Sequence, residues 1–474
     1  MEQQTLDSRT FCAQMGGSLY YFGMLLRFRC RNFRSIREEQ EISLVAARAH
    51  SDEADKRLIE TRIKDVSGLR CAVIYGPNGA GKSNLLQAMS KFRSIISSSQ
   101  KRWDASDRIP DWDPFMLDGN SRYEETEFEA AVVINEVEHR YGFRFNETAI
   151  SEEWLVEYAP RERTLFRRKT LDRAVTIEFP GRNLTGPTLE AIRQLTRPNS
   201  LFLSAAAQNN YERLAAIHEW FVQRFRLISP QERAGWLPFT ANLCKQAPIK
   251  DTIKKLMSFA DDGIIDFDIV EQDAPENIKK MVSAMFRIIK EANPETSLDL
   301  NEADSFVHPE AVMKHRGVGG NLYPLTSAQE SAGTLAFFSI LGPLLNELKE
   351  GSILLIDELE SSMHPHLARE FVRIFNDPDL NPKGAQIIFT THNTGLLNPP
   401  ILQRDQVWLT EKNREGATSI YPLSDFKPRK GQNLEAGYLH GRFGAIPFLD
   451  SELLYSALRT EGPDQRSGQT CEAE

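Results

Sequence analysis

The sequence predicts an α/β fold in which a parallel sheet carries an antiparallel β subdomain and a helical insertion. Three patterns predict it. The apolar run Cys71–Tyr75 passes through a glycine-rich turn into helical sequence, as a buried strand does when it feeds a helix. Gly351–Asp357 and Ala385–Thr391 are apolar runs of the same kind, each followed by helix-like sequence. From Glu127 to Lys169 the pattern alternates with period two, the mark of half-buried antiparallel strands.

In chain order, residues 1–23 read poorly as structure and are expected to be a disordered extension or to precede the true start. An N-terminal lobe, 24–184, opens with Leu26, Phe28, Cys30 and, less regularly, Phe33 alternating with Arg27, Arg29 and Arg31, a half-buried strand. Glu41–Val45 makes a second strand, and the stretch after Ser83 is helical in composition. Within the alternating region, Phe128–Ile134, Val137–Phe145, Trp154–Tyr158 and Leu165–Lys169 give three or four strands. Residues 185–300 turn to helical spacing. Ile249, Ile253, Leu256, Met257 and Ala260 share one face; Ile278, Met281, Val282, Met285, Phe286 and Ile289 share another. Such stripes are core packing rather than a cofactor site. The C-terminal lobe, 301–458, returns to α/β and includes a hairpin-like pair, Gln406–Thr410 and Ser419–Leu423. The tail 459–474 holds almost nothing apolar and is expected to be disordered.

Charge and cysteine usage narrow the class. Lys and Arg number 57 against 66 Asp and Glu, a net −9, which argues against sequence-independent wrapping of nucleic acid. Arg161, Arg163, Arg167, Arg168 and Lys169 cluster on the meander, and Lys427, Arg429 and Lys430 near the C-terminus. These are read as solvated faces, with a DNA- or RNA-sensing surface as the minority reading. The five cysteines are widely spaced with no C-x-x-C pair, and no run reaches the length of about 18 apolar residues of a membrane span. With no basic, apolar leader at the start, a reduced cytoplasmic protein is expected.

The chemistry begins at Gly76-Pro77-Asn78-Gly79-Ala80-Gly81-Lys82-Ser83, followed by Asn84. It matches G-x-x-x-x-G-K-[ST] and lies between a strand and a helix, the context the P-loop requires. Backbone N–H groups and the helix N-terminus cradle phosphates, Lys82 reaches the β- and γ-phosphates, and Ser83 ligates Mg²⁺. Ile353–Ile356 then ends in Asp357 and Glu358: Asp357 to hold the metal, Glu358 to act as general base toward water. His392 follows the next apolar run and is placed to hydrogen-bond the γ-phosphate. Ser327-x-x-Glu330 reads as a capping box for the apolar helix after it. Ser331, Gly333 and Thr334 lie at that helix start, where N–H and hydroxyl groups can meet a γ-phosphate bound by another subunit.

This order of P-loop, signature helix, Asp-Glu strand and strand-end histidine resembles the ABC-type ATPase heads of SMC, RecF and OLD proteins. It resembles less the hexameric AAA+ rings, since no arginine-finger segment is found. More narrowly, LLRFRCRNFRSI, YGPNGAGKSNLL, HRYGFRF, ESAGT, LLIDELESSMHP, IIFTTHNTGLL, RDQVWLTEKNREGAT and GYLHGRFGAIPFL resemble the RloA-like (AbiL-type) ATPases of bacterial phage defence, from Met24 to about Leu449. The resemblance implies an ATP-sandwich homodimer with ATP and Mg²⁺ as cofactors. Ser331, Gly333 and Thr334 of one copy would face the P-loop of the other, and Glu360–Pro365 would cross the interface. The signature segment reads Glu330-Ser-Ala-Gly-Thr where transporters have Leu-Ser-Gly-Gly-Gln, so Gly333 is its nearest counterpart.

The chain is therefore expected to be an ATPase acting as sensor and switch in abortive infection, controlling a separately encoded effector. No D-x-D pair with an upstream glutamate follows His392, so no intrinsic nuclease is expected, and neither is a membrane partner. The alternative is a RecF- or SMC-like ATPase that binds DNA in repair or replication.

Overall fold

The computed structural model describes residues 23–47, 57–159, 161–181, 184–273, 279–281, 283–284, 287, 307–398, 401–429, 431–447 and 455–456. Residues 1–22 of the expected extension 1–23, the tail at 459–474, Cys12, Cys471 and Lys430 lie outside them; Gly23 is described and opens the first strand. The strands are β1 (Gly23–Arg31), β2 (Gln40–Ser43), β3 (Leu58–Glu60), β4 (Ser67–Leu69), β5 (Cys71–Tyr75), β6 (Thr126–Ile134), β7 (Val137–Phe145), β8 (Ile150–Tyr158), β9 (Glu162–Leu171), β10 (Ala174–Glu178), β11 (Phe225–Ile228), β12 (Ile264–Asp273), β13 (Val307–Arg316), β14 (Leu322–Leu325), β15 (Ile353–Ile356), β16 (Gln386–Thr390), β17 (Val407–Lys412) and β18 (Thr418–Pro422). The described helices are α1 (Lys82–Ser98), α2 (Pro187–Leu195), α3 (Phe202–Gln208), α4 (Glu212–Arg224), α5 (Arg233–Leu243), α6 (Ala247–Ala260), α7 (Ala332–Glu350), α8 (Pro365–Asn376) and α9 (Leu434–Leu439).

The central sheet runs β11-β15-β16-β5-β17-β18, parallel except for β18. Its inner strands β15, β16 and β5 are buried along their whole length because both faces are covered. Ala72, Ile74, Ile353, Leu355 and Ile388 turn toward α1, with Leu85, Met89 and Phe92. Val73, Tyr75, Leu354, Ile356, Ile387 and Phe389 turn the other way, onto Phe337, Ile340 and Leu341 of α7 and Phe371 and Phe375 of α8. Alternate residues of each strand thus feed two different cores.

The second sheet, β10-β9-β8-β7-β6-β1-β2, is antiparallel. It extends the expected meander of three or four strands to seven. Its inner face closes the other side of α1, where Phe92 stacks on Phe143 with centroids 5.5 Å apart and meets Phe28 edge-on. The P-loop helix is therefore clamped between two sheets.

Several expectations need correction. The span 185–300 holds more than helices: β11 is an edge strand of the central sheet, and β12 pairs with β13, which pairs in turn with β14, in a three-stranded sheet. The β11 signal is short, four residues between two helical stretches, and period two has little room to show. The first helical stripe packs as expected, with Ile253 and Met257 buried in α6. In the second, Met281 is 63% exposed, and Ile278, Val282, Met285, Phe286 and Ile289 lie outside the described residues. Arg168, read with a solvated cluster, is buried and donates to the carbonyls of Ile150, Arg197 and Pro198; Arg161, Arg163, Arg167 and Lys169 are exposed. Cys30, Cys71 and Cys244 are buried free thiols. Among the described residues no helix is long and apolar enough to cross a membrane.

Candidate nucleotide site

Parallel strands deliver their carboxyl ends to one edge of the sheet, where open α/β folds bind ligands. At the end of β5 the chain enters the 76–83 loop, and at the ends of β15 and β16 it reaches Asp357 and His392. The sheet order thus gathers three segments that are far apart in the chain.

The loop is held from outside. Gly81 precedes α1 at φ 100°, in the left-handed region that favours glycine. A Cβ there would lie 2.2 Å from Thr418 Oγ1 and 2.8 Å from Ser35 Oγ. These hydroxyls are the buttress: Thr418 donates to Ala80 O at 2.8 Å, Ser35 and Thr418 share a 2.7 Å bond, and Asn84 donates to Ser35 at 2.6 Å. Asn78 and Gly79 at the tip are exposed. No side chain caps α1, which leaves its first N–H groups for an anion.

Lys82 Nζ folds over the loop and donates to Gly76 O at 2.9 Å and Pro77 O at 3.1 Å. Burial holds its pKa below the usual lysine value, against the pull of Asp357, Glu358 and Glu360. Ser83 donates to Asp357 Oδ1 at 2.9 Å, and Thr390 donates to the same oxygen at 2.7 Å. Thr390 Oγ1 in turn accepts the Glu358 N–H at 2.7 Å. Glu358 has φ 49°, left-handed for a non-glycine residue, a conformation that persists when its surroundings over-determine it. Among the described residues its carboxylate makes no hydrogen bond or close ion pair, although its charge acts on Lys82 and Arg233.

Glu360 ties the two strand ends together. Its carboxylate accepts the Thr391 hydroxyl at 2.6 Å and the His392 N–H at 2.5 Å. The His392 side chain is exposed. The structure thus brings together Gly76, Pro77, Asn78, Gly79, Ala80, Gly81, Lys82, Ser83, Asn84, Asp357, Glu358 and His392. Sequence reasoning missed Ser35, Thr390, Thr418, Glu360 as a clamp, and Arg233, whose guanidinium lies under the Asp357–Ser361 turn.

The signature residues stand apart from the P-loop. Ser331, not the expected Ser327–Glu330 box, caps α7, with Ser331 Oγ accepting the Thr334 N–H at 3.0 Å. Glu330 is drawn off instead to His315 at 2.6 Å, and the Ser327 N–H donates to Glu310. Gly333 packs so closely on the Ser362 carbonyl that a Cβ would lie 2.7 Å from it. None of the hydrogen bonds of Ser331, Gly333 or Thr334 goes to the P-loop.

The donors beside Lys82 are oxygens, the hydroxyl of Ser83 and the carboxylate of Asp357, and this set suits a hard cation such as Mg²⁺. Among the described residues no group of three or more His, Cys, Asp or Glu could hold a metal alone.

The profile of a family described as "AAA domain, putative AbiEii toxin, Type IV TA system" matches residues 71–398. The chain belongs to this family. The AAA-domain match starts at the first residue of β5 and ends beyond His392, so it contains the P-loop, Asp357, Glu358 and the signature helix. The domain is of the P-loop NTPase type. The family match gives no ground for the narrower RloA-like grouping, nor for placing the chain nearer ABC-type heads than AAA+ rings. No curated protein matches. Among solved structures, an SMC head bound to the C-winged helix domain of ScpA is 11% identical, covering 84% of this chain and 97% of that one at a TM-score of 0.37. An SMC head domain from Thermotoga maritima is 13% identical, covering 84% and 98% at 0.34.

Proposed function

We propose that the chain binds ATP with Mg²⁺ and hydrolyses it in a composite site between two copies, and that closure of the pair controls a separately encoded effector of phage defence in the cytoplasm. The observation that carries the reading is the hydrogen-bonded chain Ser83–Asp357–Thr390–Glu358 beside a buttressed P-loop.

Each residue then has a task. The P-loop N–H groups and Lys82 bind the phosphates, Lys82 exchanging its carbonyl partners for phosphate oxygens. Ser83 and Asp357 would hold Mg²⁺, which neutralises charge on the phosphate oxygens when bound. The Glu358 carboxylate takes a proton from the attacking water as the bond to the γ-phosphorus forms and the bond to ADP breaks. His392 orients on the γ-phosphate. Ser331, Gly333 and Thr334 of the second copy supply hydroxyl and N–H groups across the interface. One feature supports that last step: Ser331 is exposed at the start of a helix.

Abortive infection is supported by the AbiEii wording of the family description and by the C-terminal segments that resemble RloA-like proteins. The test is a pulldown of tagged wild type and Glu358→Gln with ATP and Mg²⁺ from cells carrying the native gene neighbourhood. A stoichiometric neighbour-encoded protein supports the switch. DNA without such a protein contradicts it in favour of a RecF-like ATPase.

A further inference from the structure

Glu358 is held at both ends of its main chain. Its N–H goes to Thr390, a residue of the sheet. Its carbonyl goes to Arg233, which comes from the other side of the site: β11 ends at Ile228, a short 3-10 turn follows over Pro230–Glu232, and α5 opens at Arg233. The Arg233 guanidinium is buried, with 6% of the residue exposed. It donates through Nη2 to Glu358 O at 2.6 Å and to Asp357 O at 3.4 Å, and through Nη1 to Ser361 O. One planar fork therefore gathers the carbonyls of the turn that carries both acidic residues.

What the fork leaves alone matters as much. Asp357, Glu358 and Glu360 all favour the charged guanidinium electrostatically, against the cost of burial. Yet among the described residues no ion pair within 4.0 Å joins it to any of the three carboxylates: its Nη donors go to main-chain oxygens, and its buried Nε has no hydrogen-bond partner. An arginine paired with the Glu358 carboxylate would occupy the base; this one fixes the backbone and leaves the carboxylate free. A lysine could keep the charge but could not bridge separated carbonyls in one plane.

We infer that Arg233 is a positioning residue that acts through Glu358, holding the 357–361 turn so that Glu358 keeps the left-handed conformation that aims the general base at the nucleotide. The inference rests on the ATPase reading and deepens it. It also gives β11 and the start of α5 a place in the site, although they lie in the span that reads as a helical insertion.

The test compares wild type, Arg233→Lys and Arg233→Met in steady-state ATP hydrolysis, in calorimetric titration with ADP and Mg²⁺, and in thermal melting. Misplacing a catalytic group by about 1 Å costs roughly 10²-fold, so kcat should fall by roughly 10- to 100-fold in both variants while ADP affinity stays within about twofold. In the Glu358→Gln background, single-turnover rates should fall no further when Arg233 is also replaced, because the two act as one unit. Should Arg233→Met fail to fold, the lysine variant decides. The inference is overturned by a lysine variant with wild-type kcat, by matched losses of kcat and ADP affinity, or by full additivity with Glu358→Gln. A wild type that binds ADP but never hydrolyses ATP refutes the ATPase reading itself, which is a different result from an active wild type with active Arg233 variants.

Discussion

The hydroxyl of Thr390 donates to Asp357 Oδ1 at 2.7 Å and accepts the Glu358 N–H at the same distance. One side chain at the end of β16 thereby orients the residue placed to hold the metal and the residue placed to take the proton. Thr390→Val keeps the shape and removes both bonds. It should cost about 1–3 kcal/mol of stability through the unpaired N–H and lower kcat at least about tenfold. Thr390→Ser should restore most of the rate. Steady-state kinetics and thermal melts of the two variants check this.

Gly81 tests the buttress. Its φ of 100° and the nearness of Thr418 leave no room for a methyl group, so Gly81→Ala should cost about 1–2 kcal/mol from the backbone alone. It should also abolish nucleotide binding in a calorimetric titration with ATP and Mg²⁺. Thr418→Val should weaken binding in the same direction but less, since Ser35 remains against the loop.

Gly333 tests the composite site. Gly333→Val places carbon against the Ser362 carbonyl and shifts the start of α7. ATP-dependent pairing of copies should be lost while each copy still binds nucleotide. Analytical ultracentrifugation with ATP and Mg²⁺, beside the binding titration, separates the two effects.

Acid sensitivity follows from two histidines, His139 buried and His218 half-buried. His139 and His218 lie against the carbonyls of Val137 and Ile96, and burial lowers both pKa values. The unfolded chain, with histidines near about 6.5, then binds more protons than the folded one. Their contribution is fully present above that value and is lost as pH falls through it toward the lower folded pKa. Melting temperature should drop between pH 7.5 and 5.5, and the double variant His139→Gln/His218→Gln should flatten that drop.

How much of this was legible in the sequence depends on whether the signal was local. Cys71–Tyr75, the P-loop and Ile353–Glu358 declare themselves by contiguous pattern, and each stands where its pattern puts it. Thr390, Ser35, Thr418 and Arg233 act through contacts between residues far apart in the chain, and no local pattern marks a threonine that will meet an aspartate 33 positions away. The Thr-Thr-His end of the Ile387 run was a usable hint. Ser327 and Glu330 matched a capping box by spacing, but Glu330 found His315 on β13, and the cap passed to Ser331. Arg168 looked like one of five surface cations until the pleat turned it inward; its neighbours Arg167 and Lys169 point out.

The central claim is that two copies close on ATP. Light scattering coupled to gel filtration of Glu358→Gln, with and without ATP and Mg²⁺, tests it most directly. A shift from one copy to two on adding ATP, lost in Lys82→Ala and in Gly333→Val, is the predicted result. A single copy under every nucleotide condition, including Glu358→Gln saturated with ATP, would contradict it.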